Sequence, residues 1–344
     1  MDYNTQKLRN QAEKDFPLLL DDRTSSGRKA PWAERKMQNE NLARAYLAID
    51  CKKADRLLEC GTYLRYKCFD DGTKKLDRLN SCRVRLCPLC AWRRSLKCFY
   101  NTDAVCRALA DEKEYRYIML TLTVKNCSAD DLSKTIDFLF ESWNRFVQLK
   151  AIKSAIDGWM RTLEVTHNTN HKSAAFDTYH PHFHVLLCVS PSYFKKGYIS
   201  RDKWASMWKQ AARLDYDPQI DVRVIKRSAK DGIVDALRDD KKAAIAAAAA
   251  EVSKYATKPE DYIIPNDWNL TVDAVATLDQ ALANRRLIAY GGIMRDKRKE
   301  LQLEDEETGD FVNVDQSADK EGVFRLVEYF WFSGAREYRG REKG

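Results

Sequence analysis

Residues 158–167 read GWMRTLEVTH and residues 177–189 read DTYHPHFHVLLCV. In both stretches apolar and polar side chains alternate, the two-residue period of a strand whose successive side chains face opposite ways. A polar loop separates them, so the pair reads as an antiparallel hairpin. All five histidines of the chain fall between His167 and His184, and three of them lie in the second strand.

Working outward, YRYIMLTLTVKN (115–126) alternates as well, with Ile118, Leu120, Leu122 and Val124 on one face. DDLSKTIDFLFESWNRFVQLK (130–150) sets Leu132, Ile136, Leu139, Trp143 and Phe146 at helical spacing. Downstream, SRDKWASMWKQAARL (200–214) reads as a second helix and QIDVRVIK (219–226) as another strand. The order is β-α-β-β-α-β, which predicts an α+β fold with a ferredoxin-like split unit and an antiparallel sheet. An alanine-rich helix, DDKKAAIAAAAAEVSKYATKP (239–259), follows and stops at Pro259. VFRLVEYFWFSGAREY (323–338) reads as strands or a helix packing back on the domain. Four regions result: a flexible or helical stretch over 1–55, a cysteine-rich module over 56–110, the split unit over 111–265, and a C-terminal extension over 266–344 packing on it.

The chain has 344 residues, 44% hydrophobic and 32% charged, with a net charge of +8. That charge permits a polyanionic partner without requiring one. No apolar run approaches the ~18–20 residues of a membrane span and no signal-peptide core is present, which predicts a cytoplasmic protein with no membrane partner. In a reducing compartment the ten cysteines are expected as buried thiols or metal ligands rather than disulfides.

His182 and His184, at i and i+2 in a strand, project to one side about 6–7 Å apart and can converge on one cation. Two satisfied, half-buried imidazoles are the bland alternative, but an apolar strand makes burying them without purpose costly. On the partner strand Glu164 alternates against Leu163 and Val165, placing a lone carboxylate on the face opposite the core. Two imidazoles and a carboxylate suit Mn²⁺ or Mg²⁺, with Zn²⁺ also compatible. His180, before Pro181, stands at the strand entrance and is left out of the ligand set.

In AEVSKYATKPEDY (250–262), Glu251, Tyr255 and Lys258 are spaced i, i+4 and i+3, which predicts one helical face. A phenol becomes a nucleophile when a metal polarises the electrophile and a cation favours the phenolate. Lys258 could supply that cation, and Glu251 a general base for water. An ordinary surface pattern is the alternative. In CRVRLCPLC (82–90) a C-x-x-C knuckle follows Cys60 and Cys68. Structural Zn²⁺ on Cys60, Cys82, Cys87 and Cys90 is expected, with Cys68 as the substitute ligand. Arg83, Arg85, Arg93, Arg94 and Lys97 beside it form a candidate phosphate-contacting patch, with a solvated helix face as the alternative.

Taken together, HPHFHVLL, EVSKYATKPEDY, IMLTLTVKN, CRVRLCPLCAWRRS and NRRLIAYGGIMRDKRKELQLEDEETGDFV resemble five motifs of the rolling-circle plasmid replication initiators, proteins with an HUH endonuclease domain. The resemblance runs from about 57 to 312. It implies that Tyr255 attacks a phosphodiester at the plasmid origin, on single-stranded or hairpin DNA, forming a 5′-phosphotyrosine and freeing a 3′-OH primer. It implies a metal ion held by His182 and His184 against the scissile phosphate, and a termination role for Glu251 where related enzymes use a second tyrosine. Host helicase and replication proteins, and a homodimer, are the partners it implies. Single-tyrosine HUH transposases, relaxases and a non-catalytic zinc-dependent DNA-binding regulator are the alternatives.

Overall fold

The hairpin is present in the structure, a computed structural model that describes residues 14–24, 27–225, 240–253, 257–318 and 320–343. Strand β5 (Gly158–His167) pairs antiparallel with β6 (Tyr179–Val189), Glu164 opposite His182 and Thr162 opposite His184. On the other side of β6 lies β4 (Arg116–Thr123), with Thr121 opposite His184. Strands β7 (Ile220–Val224) and β8 (Ile288–Gly291) complete a five-stranded sheet of order β7-β4-β6-β5-β8, all pairings antiparallel. Between β4 and β5 run α4 (Leu132–Phe146) and the short α5 (Lys150–Ala155). The short α6 (Tyr193–Lys196) and α7 (Arg201–Ala212) separate β6 from β7. After β7 come α8 (Asp240–Val252), a 3-10 turn (Pro259–Asp261), α9 (Trp268–Leu282), β8 and α10 (Gly292–Glu300).

Alternation gives this sheet two different faces. Ile118, Leu120, Leu122, Leu163, Val165, Phe183, Val185 and Leu187 are buried on one side. Aromatic residues of α4 and α7 cover them: Phe140 and Trp143 meet Phe183, and Phe146 meets Trp204 and Trp208. Burial of each such side chain stabilises the fold by about 1.5–3 kcal/mol. The Trp208 indole donates to the Thr123 carbonyl (2.9 Å), fixing α7 to the end of β4.

The opposite face is divided along its length. At one end Tyr117, Met119, Met160, Leu186 and Cys188 pack against Ile245, Ala248 and Val252 of α8. Cys98, Val105, Cys106 and Leu109 of α3 (Pro88–Glu112) join the same cluster. Towards the other end the same strands carry Thr121, Thr162, Glu164, His182 and His184. Ala248 and Ala249 are fully buried, and side chains that small let a helix backbone approach a sheet closely. The Thr162 hydroxyl donates to the Val252 carbonyl (3.2 Å), so α8 ends where the face turns from apolar to polar.

The chain divides into two units, Met1–Arg94 with Asp310–Gly344, and Ser95–Gly309; the boundary falls within α3. The first unit holds α1 (Trp32–Leu47), α2 (Cys51–Glu59) and a second antiparallel sheet. Its strands are β1 (Leu18–Leu19), β2 (Tyr63–Phe69), β3 (Lys74–Leu79), β9 (Phe324–Phe332) and β10 (Glu337–Glu342), in the order β1-β10-β9-β2-β3. The sequence reading treats 266–344 as one extension on the split unit. In the structure its first part, through Gly309, belongs to the second unit and supplies β8, while Asp310–Gly344 belongs to the first, where β9 pairs with β2. Among the described residues no helix is long and apolar enough to cross a membrane.

Candidate metal centre and surrounding residues

Cross-strand pairing of β5 with β6 sets Glu164 against both imidazoles. His184 Nε2 lies 2.7 Å and His182 Nε2 3.6 Å from Glu164 Oε2, and the three ligand atoms all fall within 4.8 Å of one another. His182 Nδ1 is 3.0 Å from the His180 carbonyl, a contact that fixes the ring with Nε2 facing Glu164. His184 Nδ1 is held 3.3 Å from the Thr121 hydroxyl on β4. Glu164 is 4% exposed, so the face that alternation places opposite the core is itself covered. Burial acts to raise its carboxyl pKa, but hydrogen bonds and charge from His182 and His184 outweigh it and hold the group well below the ordinary carboxylate range. An anionic oxygen and two convergent imidazole nitrogens are the donor set of a divalent cation site with room for further ligands.

Lys258 reaches this site, though by a different route from the expected helical face. Its Nζ lies 3.2 Å from Glu164 Oε1, and the Glu164 charge raises its pKa. Its backbone is extended (φ −94°, ψ 153°) because Pro259 disfavours the helical region for the residue before it. The expectation that Lys258 shares a helical face with Glu251 is therefore corrected: α8 spans Asp240–Val252, and Lys258 lies beyond it in extended backbone. Glu251 occupies the last turn of α8 and is half-buried. Tyr255 lies outside the described residues.

A residue the sequence reading passed over holds this segment in place. His167, at the end of β5, is buried and stacked on Tyr179 (4.4 Å, 5°). Its Nε2 is 2.9 Å from Asp177 Oδ1, its Nδ1 3.0 Å from the Asp261 carbonyl, and its backbone N–H donates to Asp261 Oδ1 (3.2 Å). Asp261 in turn accepts from the Lys258 N–H (2.8 Å). His167 thus tethers the turn that presents Lys258. The signal was its place in the strand register, three residues after Glu164.

Cys60, Cys82, Cys87 and Cys90 form a second cluster, in the first unit, and all four are buried. Sulfur separations are 3.6 Å (Cys60–Cys87), 3.7 Å (Cys60–Cys90) and 3.8 Å (Cys82–Cys90). Four thiolates each about 2.3 Å from one tetrahedral ion lie about 3.8 Å apart, so the spacing fits Zn²⁺. Backbone N–H groups of Cys82, Arg83, Val84 and Cys90 point at the sulfurs at 3.3–3.5 Å. Arg83 takes a positive φ of 58° to complete this knuckle. Cys68 is buried on β2 and is not part of the group.

The basic run does not form one outward patch. Arg93 is buried, with Nε and Nη2 donating to the carbonyls of Phe311 (2.8 Å) and Val312 (2.9 Å) and its guanidinium over the rings of Trp32 and Trp92. Lys97 is fully buried and paired with Glu304. Both are corrected from phosphate contacts to internal ties: long basic stems carry enough hydrocarbon to be buried when the head group finds acceptors. Arg83 is exposed, and its guanidinium and that of half-buried Arg94 lie over Phe311; Arg85 is half-buried.

Comparison with known proteins places these features in a family. The family model described as replication protein matches residues 73–339. "Protein rep" of Bacillus amyloliquefaciens is 38% identical over 342 residues, covering 95% of this chain and 98% of the relative. Relatives of the same name from Lentilactobacillus hilgardii and Streptococcus pneumoniae are 34% and 31% identical, covering 93% and 96% of this chain and 98% of each relative. No solved structure matches the chain. The chain belongs to the replication protein family, the rolling-circle plasmid replication initiators.

Proposed function

We propose that the protein starts rolling-circle replication by nicking one strand at the plasmid origin and later rejoining it, with the second unit as a ferredoxin-like HUH nuclease domain. The observation that carries this reading is Glu164, His182 and His184 gathered at the polar end of a sheet face, beneath the end of α8 that leads towards Tyr255. Support for the fold comes from the β-α-β-β-α-β order and the antiparallel neighbours β7-β4-β6-β5. Mn²⁺ or Mg²⁺ held by these three residues would neutralise the scissile phosphate and make its phosphorus a better electrophile.

In the proposed reaction the Tyr255 phenolate oxygen bonds to that phosphorus and the P–O3′ bond breaks. The 5′ phosphate is then joined to tyrosine, and the departing 3′ oxygen takes a proton to become the primer hydroxyl. Lys258, 3.2 Å from Glu164, keeps positive charge beside the incoming phosphate. Glu251 serves at termination as general base for a water molecule. Origin DNA, single-stranded or extruded as a hairpin, is the substrate. A host helicase is the expected co-worker, and a homodimer its proposed assembly. Zn²⁺ on the four cysteines supports the first unit, and Arg83, Arg85 and Arg94 are its proposed phosphate contacts.

The test incubates the protein with single-stranded origin DNA and Mn²⁺ and separates it under denaturing conditions. A covalent protein–DNA adduct is expected, absent in Tyr255→Phe. Adduct formation by that variant removes the nucleophile assignment; a wild-type protein that binds DNA without any adduct favours a regulator.

A further inference from the structure

At the end of β4, where Thr123 pairs with His182, the loop after β4 and the start of α4 enclose an open pocket of about 530 Å³. Lys125, Lys134, Phe138 and Tyr216 are among its walls. Lys125 Nζ sits 4.1 Å above the centre of the Tyr216 ring, and the Lys125 N–H donates to the Tyr216 hydroxyl (2.9 Å). Asn126, also in the wall, donates to the Thr178 hydroxyl (2.8 Å), and Cys127 exchanges backbone hydrogen bonds with Tyr179. These bonds tie the loop to the entrance of β6. Asp131 is the acidic group of the pocket, and its carboxylate already accepts from the Ser128 hydroxyl (3.0 Å).

The pocket and the metal centre are joined through the strand register. Thr123, next to Val124 in the pocket wall, pairs with His182, whose ring stacks on that of His180 (5.2 Å, 28°). One step along β4 therefore separates a wall of the pocket from the cross-strand neighbour of a metal-centre residue, a span that neighbouring nucleotides of one strand can bridge. Cations beside an aromatic ring are what a single strand needs: lysines for phosphate and a ring face for an unpaired base.

We infer that this pocket is a subsite for a nucleotide of single-stranded DNA flanking the scissile phosphate, with its base on Tyr216 and its phosphate held by Lys125 and Lys134. The inference rests on the nicking site proposed above for the location of the cut, but strand binding can be measured without the cut.

The test measures fluorescence anisotropy of labelled dT15 with the full chain, without added divalent cation, between 50 and 200 mM salt. Tyr216→Leu is expected to weaken binding about 5- to 150-fold, the range for one lost stacking platform, while Tyr216→Phe binds as wild type. Lys134→Ala, an exposed change with little folding risk, is expected to reduce the slope of log K against log salt by about 0.7, one phosphate contact on a single strand. A dT15·dA15 duplex is expected to be insensitive to Tyr216→Leu, since its bases are already stacked. Unchanged dT15 affinity in Tyr216→Leu together with an unchanged salt slope in Lys134→Ala overturns the subsite. Equal loss on duplex and single strand also overturns it, in favour of general electrostatic binding. Adduct formation is scored separately: binding unchanged with the adduct intact removes the subsite alone. Binding losses with no adduct remove the nicking reading and leave a strand-binding pocket.

Discussion

Glu164 is the residue on which the site turns. It sits almost out of water between two imidazoles with a lysine on its outer oxygen. A carboxylate in such a place is costly unless cations surround it. Lys258 supplies part of that charge, yet its side chain is 49% exposed, so solvent moderates its effect. Lys258→Met is expected to slow adduct formation about 10- to 100-fold, below the loss at a fully buried transition-state donor, with Mn²⁺ binding retained; a quench-flow comparison of single-turnover rates checks it. Glu251→Ala is expected to nick at the wild-type rate while releasing few closed single-stranded circles, scored on a gel of replication products; normal release would remove its role as base. The His-x-His spacing and the lone Glu164 were legible because a two-residue period decides which side chains share a face. Lys258 was misplaced on a helix because Pro259 acts on its predecessor's backbone, a local effect that helical spacing does not register. Arg93 and Lys97 were misread because charge in a sequence shows no partner, and their acceptors come from residues more than 200 positions away.

At the scale of elements, the proposed chemistry depends on where α8 ends. Its buried alanines bring its end to Thr162, two residues from Glu164 on the same face of β5. Ala248 is fully buried, so Ala248→Leu inserts three carbons into a filled space. The expected cost is about 1–3 kcal/mol of stability, read by denaturant unfolding, with a larger loss of adduct formation as the helix end lifts from the sheet. An adduct yield matching wild type would mean that the helix does not position the nucleophile. The alanine run and its helical tendency were plain in the sequence. That its last turn lies over the polar half of the sheet was not, since helix-to-sheet docking depends on Met119, Met160 and Leu186 on three different strands.

At the scale of the whole molecule, the described residues hold two clusters of metal-ligand type in separate units, and their donor chemistry differs. Buried thiols suit Zn²⁺, and a carboxylate with two imidazoles suits a harder, more open ion. Removing zinc with a strong chelator is expected to release one equivalent and to lower the thermal midpoint of the first unit, because binding energy at such sites is folding energy. Cys90→Ser should show the same loss, whereas Cys68→Ala should keep a full equivalent of zinc by atomic absorption. The knuckle was legible from its spacing. The pairing of β9 with β2 was not, because no local pattern links strands separated by most of the chain.

The most direct measurement is a Mn²⁺ titration of the full-length protein followed by electron paramagnetic resonance, which counts free ion as it is bound. One tight Mn²⁺ per chain is expected for the wild type and for Cys90→Ser, and none for Glu164→Ala or for His182→Ala combined with His184→Ala. Undiminished Mn²⁺ binding in those two variants would contradict the assignment of the catalytic ion to Glu164, His182 and His184.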